Sequence, residues 1–119
     1  MQVTVFHRDN FDPRVESGFT RMAVVQAPTD CVEDALNYAY RWTNNLHGSW
    51  SRDDIPENGD YNELVEFVGE LEVGKDGTVY GVRSTSMGDV MFCDGEKYEV
   101  AMAGFKALCT NKGCGDCNP

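Results

Sequence analysis

Three cysteines in "CTNKGCGDC", Cys109, Cys114 and Cys117, have the type and spacing for metal chemistry. C-x4-C-x2-C opens the plant-type iron–sulfur pattern, which needs a fourth thiolate further on, and none follows in this sequence. Zinc is better served, because Cys114 and Cys117 could share the ion while Cys109 with Cys93, Cys31 or a histidine completes a tetrahedron. A redox pair would need its first thiol at a helix N-terminus, whereas this one sits in a Gly-rich stretch. The expectation is reduced thiols and no cofactor, with zinc at Cys109, Cys114 and Cys117 as the metal alternative.

Two further clusters carry reactive side chains. Ser84-Thr85-Ser86 offers hydroxyls, but a nucleophile needs a base and an oxyanion hole, and His7 and His47 stand in no recognisable arrangement with it. Short hydroxyl side chains before Met87-Gly88-Asp89 suit a turn whose backbone they bond. Asp53, Asp54 and Glu57 could hold a hard cation, yet without the regular spacing of a calcium loop they read as solvated. A metal-assisted hydrolase using Asp53, Asp54 and His47 ranks last, so no enzyme is expected.

The 119 residues point to one domain over 1–108, with 109–119 a cysteine-bearing tail. A content of 41% hydrophobic and 11% aromatic residues suits a folded chain. No long apolar run or leader pattern is present, so a cytoplasmic location is expected. Ten bases against twenty acids give a net charge of −10, which disfavours direct contact with nucleic acid. The acids are not spread evenly. Asp53, Asp54, Glu57, Asp60, Glu63, Glu66, Glu70 and Glu72 fall in one stretch without a base, while residues 1 to 28 balance three against three. Such a block is a solvated face or a surface for a basic partner.

These residues must be positioned by local elements. "QVTVFHR" and "FTRMAVVQA" alternate as an antiparallel pair of strands. "TDCVEDALNYAYRWTNNL" has helical spacing, with Asp30 as cap, Glu33 reaching back, and an end near Asn44-Asn45. "HGSWSRDDIPENGD" is an exposed loop from which Trp50 folds back toward the core. Tyr38, Tyr40, Trp42 and Trp50 form an aromatic patch at the helix end, one of them exposed, and Trp50 joins the acids as a partner-binding anchor. Asp60 followed by Glu63 could cap a short helix, but Val65, Phe67, Leu71 and Val73 alternate with glutamates and favour a half-buried strand, after which Gly74-Lys75-Asp76-Gly77 turns into "TVYGVRS". "DVMFC" and "KYEVAM" are joined by Asp94-Gly95-Glu96, in which Asp-Gly is the dipeptide expected where a hairpin turn needs positive φ.

The run "RSTSMGDVMFCDGEKYEVAMAGFKAL" resembles the C-terminal half of YodL-like small domains of bacterial mobile elements and phages. The resemblance is carried by Arg83, Ser84, Ser86, Gly88, Asp89, Val90, Asp94, Gly95, Tyr98, Gly104, Phe105 and Leu108. It implies a phage or plasmid accessory setting and supplies no catalytic residues. The expected fold is α+β, an antiparallel and partly barrel-like sheet of about five or six strands with one main helix over Asp30 to Asn45. The expected function is inhibition of a host nucleic-acid-binding protein, of anti-CRISPR or anti-restriction type, by an acidic surface that mimics nucleic acid. The alternative is a small-ligand- or metal-binding module, which basic residues such as Arg41 or Arg83 beside a pocket would favour.

Overall fold

A computed structural model of the chain describes residues 1–10, 16–52, 54–55, 57–102 and 104–108. Strand β1 (Gln2–Arg8) buries Val3, Val5 and His7 and turns the alternate residues outward, the period-two pattern of a one-sided strand. It pairs antiparallel with β2 (Phe19–Gln26) and, on its other side, with β6 (Val90–Cys93). Helix α1 (Val32–Trp42) follows β2, and β3 (Val65–Phe67) pairs with β2. Strands β4 (Glu72–Val73) and β5 (Val79–Tyr80) form a separate ribbon, and β7 (Glu96–Ala101) and β8 (Gly104–Leu108) complete the main sheet.

The architecture is thus α+β, with six antiparallel strands in the order β3-β2-β1-β6-β7-β8 and one helix. The sheet is open, with β3 and β8 as its edges, rather than curled into a partial barrel. One face carries the core. Val3, Val5, Ala23, Val25, Met91, Cys93 and Val100 from the strands meet Ala35, Leu36 and Ala39 of α1. The two alanines on the helix let its backbone approach the sheet closely. Removing side chains such as Val3, Val5 and Met91 from water contributes about 1.5–3 kcal/mol each.

The helix starts two residues later than the sequence suggests. Its N-cap is Cys31, in extended conformation and making no side-chain cap bond. Thr29 Oγ1 accepts the Cys31 N–H at 3.1 Å. Glu33 and Asp34 still lie in the first turn and Arg41 in the last, where the helix dipole favours each charge. The helix stops at Trp42 because the Thr43 carbonyl accepts from Thr85 N–H at 2.9 Å, which turns the chain toward the sheet.

The Asp94-Gly95 hairpin is as expected. Cys93 pairs with Glu96, and both turn residues have positive φ, 53° and 78°, as a two-residue type I′ turn requires. Gly95→Ala should cost about 1 kcal/mol from the left-handed backbone alone, as read by urea unfolding. The single strand anticipated through Leu71 and Val73 is split. Val68 N–H bonds the Met22 carbonyl at 2.8 Å and ends β3, and a Cβ on Gly69 would lie 2.7 Å from Met22 Sδ, so the chain presses against β2 there before leaving for the ribbon. No helix among the described residues is long and apolar enough to cross a membrane.

Candidate functional site

Alternation along β1 carries His7 inward after Val3 and Val5, so an ionisable ring enters the core at 2% exposure. Its Nε2 lies 2.8 Å from Thr85 Oγ1. Thr85 Oγ1 in turn donates to Thr43 Oγ1 at 2.8 Å, and Thr43 Oγ1 donates to the Ala39 carbonyl at 2.7 Å. A carbonyl only accepts, which fixes the direction of the whole chain. The Thr85 oxygen must therefore accept from His7, and the imidazole proton sits on Nε2. Nδ1 is left with a lone pair and no partner among the described residues. Burial lowers the pKa of His7 to about 4, with Asp89 opposing and Arg83 reinforcing the shift.

A threonine beside a histidine suggests nucleophilic catalysis, but the polarity is wrong for it. The ring gives a proton to the hydroxyl instead of taking one, and Thr85 is itself buried. The trio instead ties β1, the end of α1 and the turn before β6 together.

That turn is held by a second buried group. Arg83 grips Asp89 with two bonds, Nη1 to Oδ2 at 2.6 Å and Nη2 to Oδ1 at 2.8 Å. Asp89 also accepts the amides of Arg8 and Ser86, each at 2.8 Å. Burial opposes the charge of Asp89, yet Arg83 and the two amides outweigh it and hold the carboxyl below its ordinary range. The Ser84 hydroxyl accepts the Asn45 N–H at 2.8 Å. Ser84, Thr85 and Ser86 thus build a turn, as their sequence suggested. Beside it opens a cleft of about 410 Å³ lined by residues that include His7, Arg8, Glu70, Glu72, Tyr80 and Arg83. Of its two arginines, Arg83 is already engaged by Asp89, and Arg41, away from the cleft, is likewise engaged by Asp60 at 3.2 Å.

The acidic segment divides on inspection of burial. Glu57, Glu63, Glu66, Glu70 and Glu72 are exposed, and Asp54 is exposed but paired with Arg52 at 3.0 Å. Two of the residues assigned to the partner surface do not belong there. Asp60 is 1% exposed, with its carboxylate accepting the amides of His47 and Gly48 at 2.8 and 2.7 Å as well as Arg41. Trp50 is 2% exposed, packed edge-on against His7 and Phe67, with Nε1 donating to the Arg83 carbonyl at 2.8 Å. An indole closing the core cannot anchor a partner. Asp53 lies outside the described residues.

The two buried groups have a different effect, which is to fix the segment. Asp60 nails its middle to the loop after α1, Asn62 donates to the Tyr38 hydroxyl at 2.8 Å, and Asn58 bonds Ser49 through both ends of its amide. A Cβ on Gly48 would fall 1.9 Å from Asn58 Oδ1, so only glycine permits this approach. Glu57 and Glu63 consequently flank a pinned stretch of backbone, whereas Glu66 is on β3 and Glu72 on β4. In the aromatic patch, Tyr38 and Trp42 pair at 6.3 Å while the exposed Tyr40 turns to Phe105 at 6.2 Å.

Cys109, Cys114 and Cys117 lie outside the described residues, while Cys31 is exposed and Cys93 buried in β6. Burial and neighbouring Asp94 push the Cys93 thiol up, making it a poor thiolate donor. No group of three His, Cys, Asp or Glu able to hold a metal occurs among the described residues. The His7–Thr85–Thr43 chain escaped the reading of the sequence, though the β1 alternation carried a signal of it, since a histidine in phase with Val3 and Val5 must find a buried partner. No family model, curated protein or solved structure matches this chain.

Proposed function

We propose that this chain is a small, non-enzymatic binding protein that engages a basic, nucleic-acid-binding host protein through its acidic segment. It would act in the cytoplasm as a phage- or plasmid-type inhibitor of anti-CRISPR or anti-restriction kind, the setting that the likeness of residues 83–108 to YodL-like domains suggests. The observation that carries the reading is the acidic segment itself: Glu57, Glu63, Glu70 and Glu72 are exposed and have no base among them in sequence, and the stretch between Glu57 and Glu63 is held by buried Asp60 and by Asn58. Charges on a fixed backbone lose less entropy on binding than charges on a free loop. Duplex DNA presents a charge about every 1.7 Å of its axis. The carboxylates here are spread over a loop, a strand and a ribbon, so the mimicry proposed is of a charged surface and not of a linear ladder. The cleft beside Arg83 gives the small-ligand reading less support, because that guanidinium is already matched by Asp89.

The test is capture from bacterial lysate by wild type and by a variant with Asp54→Asn and Glu57, Glu63, Glu70 and Glu72 changed to Gln. A control variant carries Asp30→Asn, Glu33→Gln and Asp34→Asn on and beside the helix. A nucleic-acid-binding protein retained by wild type and control, released by duplex DNA, and bound about tenfold more weakly by the segment variant would bear the reading out. Equal capture by all three, or none by any, would overturn it.

A further inference from the structure

The net charge of −10 conceals a surface of the other sign. The core, α1 and the buried loops all lie on one face of the main sheet, and strand register fixes what occupies the other. One row across it runs Leu108, Lys97, Phe92, Thr4, Val24, Glu66. The next runs Lys106, Glu99, Val90, Phe6, Arg21, and beyond it Arg8 stands opposite Phe19. The irregularity between Val5 and Phe6 matters here, because it brings Arg21 instead of Met22 opposite Phe6. Met22 packs toward the core and Arg21 stands exposed on the open face.

These rows therefore hold three bases (Arg21, Lys97, Lys106) and two acids (Glu66, Glu99), a balance of +1 in a chain whose total is −10. The face also holds three phenylalanines. Phe19 is 46% and Phe92 37% exposed, and Phe6 meets Phe92 edge-on at 6.2 Å. Lys97 Nζ stands 5.8 Å from the centre of the Phe92 ring. Arg21, Lys97 and Lys106 make no ion pair among the described residues.

We propose that the open face of the sheet binds single-stranded nucleic acid, with Phe92 and Phe19 stacking on bases and Lys97, Lys106 and Arg21 meeting the phosphates. Rings and cations interleaved on an accessible sheet are what such strands need, since every base has a π-face and every linkage a negative charge. A duplex hides its base faces and would leave the rings unused. An acidic peptide would match the cations but not the rings. The field that a strand meets at contact is local, because charges farther off than about 8 Å are screened at physiological salt. The acidic segment's reading is independent of this one and uses other residues.

The experiment is fluorescence anisotropy at physiological salt and in a titration above it, with labelled oligothymidylate, its duplex with oligoadenylate, and an oligoglutamate peptide. The proteins are wild type, Phe92→Ala, Phe19→Ala, and the pair Lys97→Gln with Lys106→Gln, each checked for an unchanged melting curve. All four sites are at least partly exposed, so more than one variant should keep the fold. The expected result is preference for oligothymidylate, a loss of roughly tenfold in Phe92→Ala, and a shallower salt dependence in the lysine pair. Absence of binding, equal binding of duplex or oligoglutamate, or full affinity in the phenylalanine variants would overturn the proposal.

Discussion

Asp89→Ala should lower the stability of this domain by about 3–5 kcal/mol in urea unfolding, the range for stranding one partner of a buried ion pair. Three groups lose their acceptor together: the Arg83 guanidinium and the amides of Arg8 and Ser86. Domains of this size typically have about 5–15 kcal/mol in all, so the variant should be partly unfolded at growth temperature. Removing both charges, with Arg83→Met and Asp89→Asn together, should cost less than Asp89→Ala alone, since no unpaired charge is then left in the interior. A loss below about 1 kcal/mol in Asp89→Ala would mean that water replaces the carboxylate freely, and that the turn from Arg83 to Asp89 is not held as described.

Acid should weaken the fold in two stages, and His7 sets the first. Its pKa is lowered from 6.5 to about 4 by folding, so between those values the unfolded chain binds a proton that the folded chain refuses. Stability present above pH 6.5 is therefore lost as pH falls toward 4, by about 3 kcal/mol if the whole shift is expressed. Protonation would also put an N–H on Nδ1, where no acceptor waits among the described residues. The neighbouring charges are Asp89, whose Oδ2 is 3.9 Å from Nε2, and Arg83. Asp89 and Asp60, both lowered, lose their contributions only below their ordinary range, which makes the second stage. Chemical denaturation of wild type and His7→Gln from pH 7.5 to 4 checks this. The variant should start less stable and show a flat profile where the wild type slopes, whereas parallel slopes would remove His7 as the cause.

What the sequence disclosed was local. Asp94-Gly95 specifies its turn through two adjacent residues, and the hairpin formed there, with Glu96 belonging to β7 opposite Cys93 and not to the turn. The body of α1 followed from spacing, but its start did not, because Thr29 rather than Asp30 bonds the first free amide. The alternation from Val65 to Val73 could not reveal that Met22 and Gly69 would meet and part β3 from β4. Among the site residues, the exposure of Glu57, Glu63, Glu66, Glu70 and Glu72 agrees with the acidic block, whereas the burial of Asp60 and Trp50 depended on partners at Arg41 and Arg83. The bases of the open face were hidden for the same reason. Positions 21, 97 and 106 share a face only after β1 has paired with both β2 and β6, and β7 with β6 and β8.

That central place of β1 also orders events during synthesis. Its partner β2 begins at Phe19, separated from the end of β1 by ten residues, but β6 lies more than eighty positions downstream. A nascent chain can close β1, β2 and β3 early, and until Val90–Cys93 leaves the ribosome β1 remains an uncovered sheet edge that presents unpaired backbone to any extended chain nearby. The late closure of so long a loop makes for slow folding, with β1 among the last strands to be satisfied.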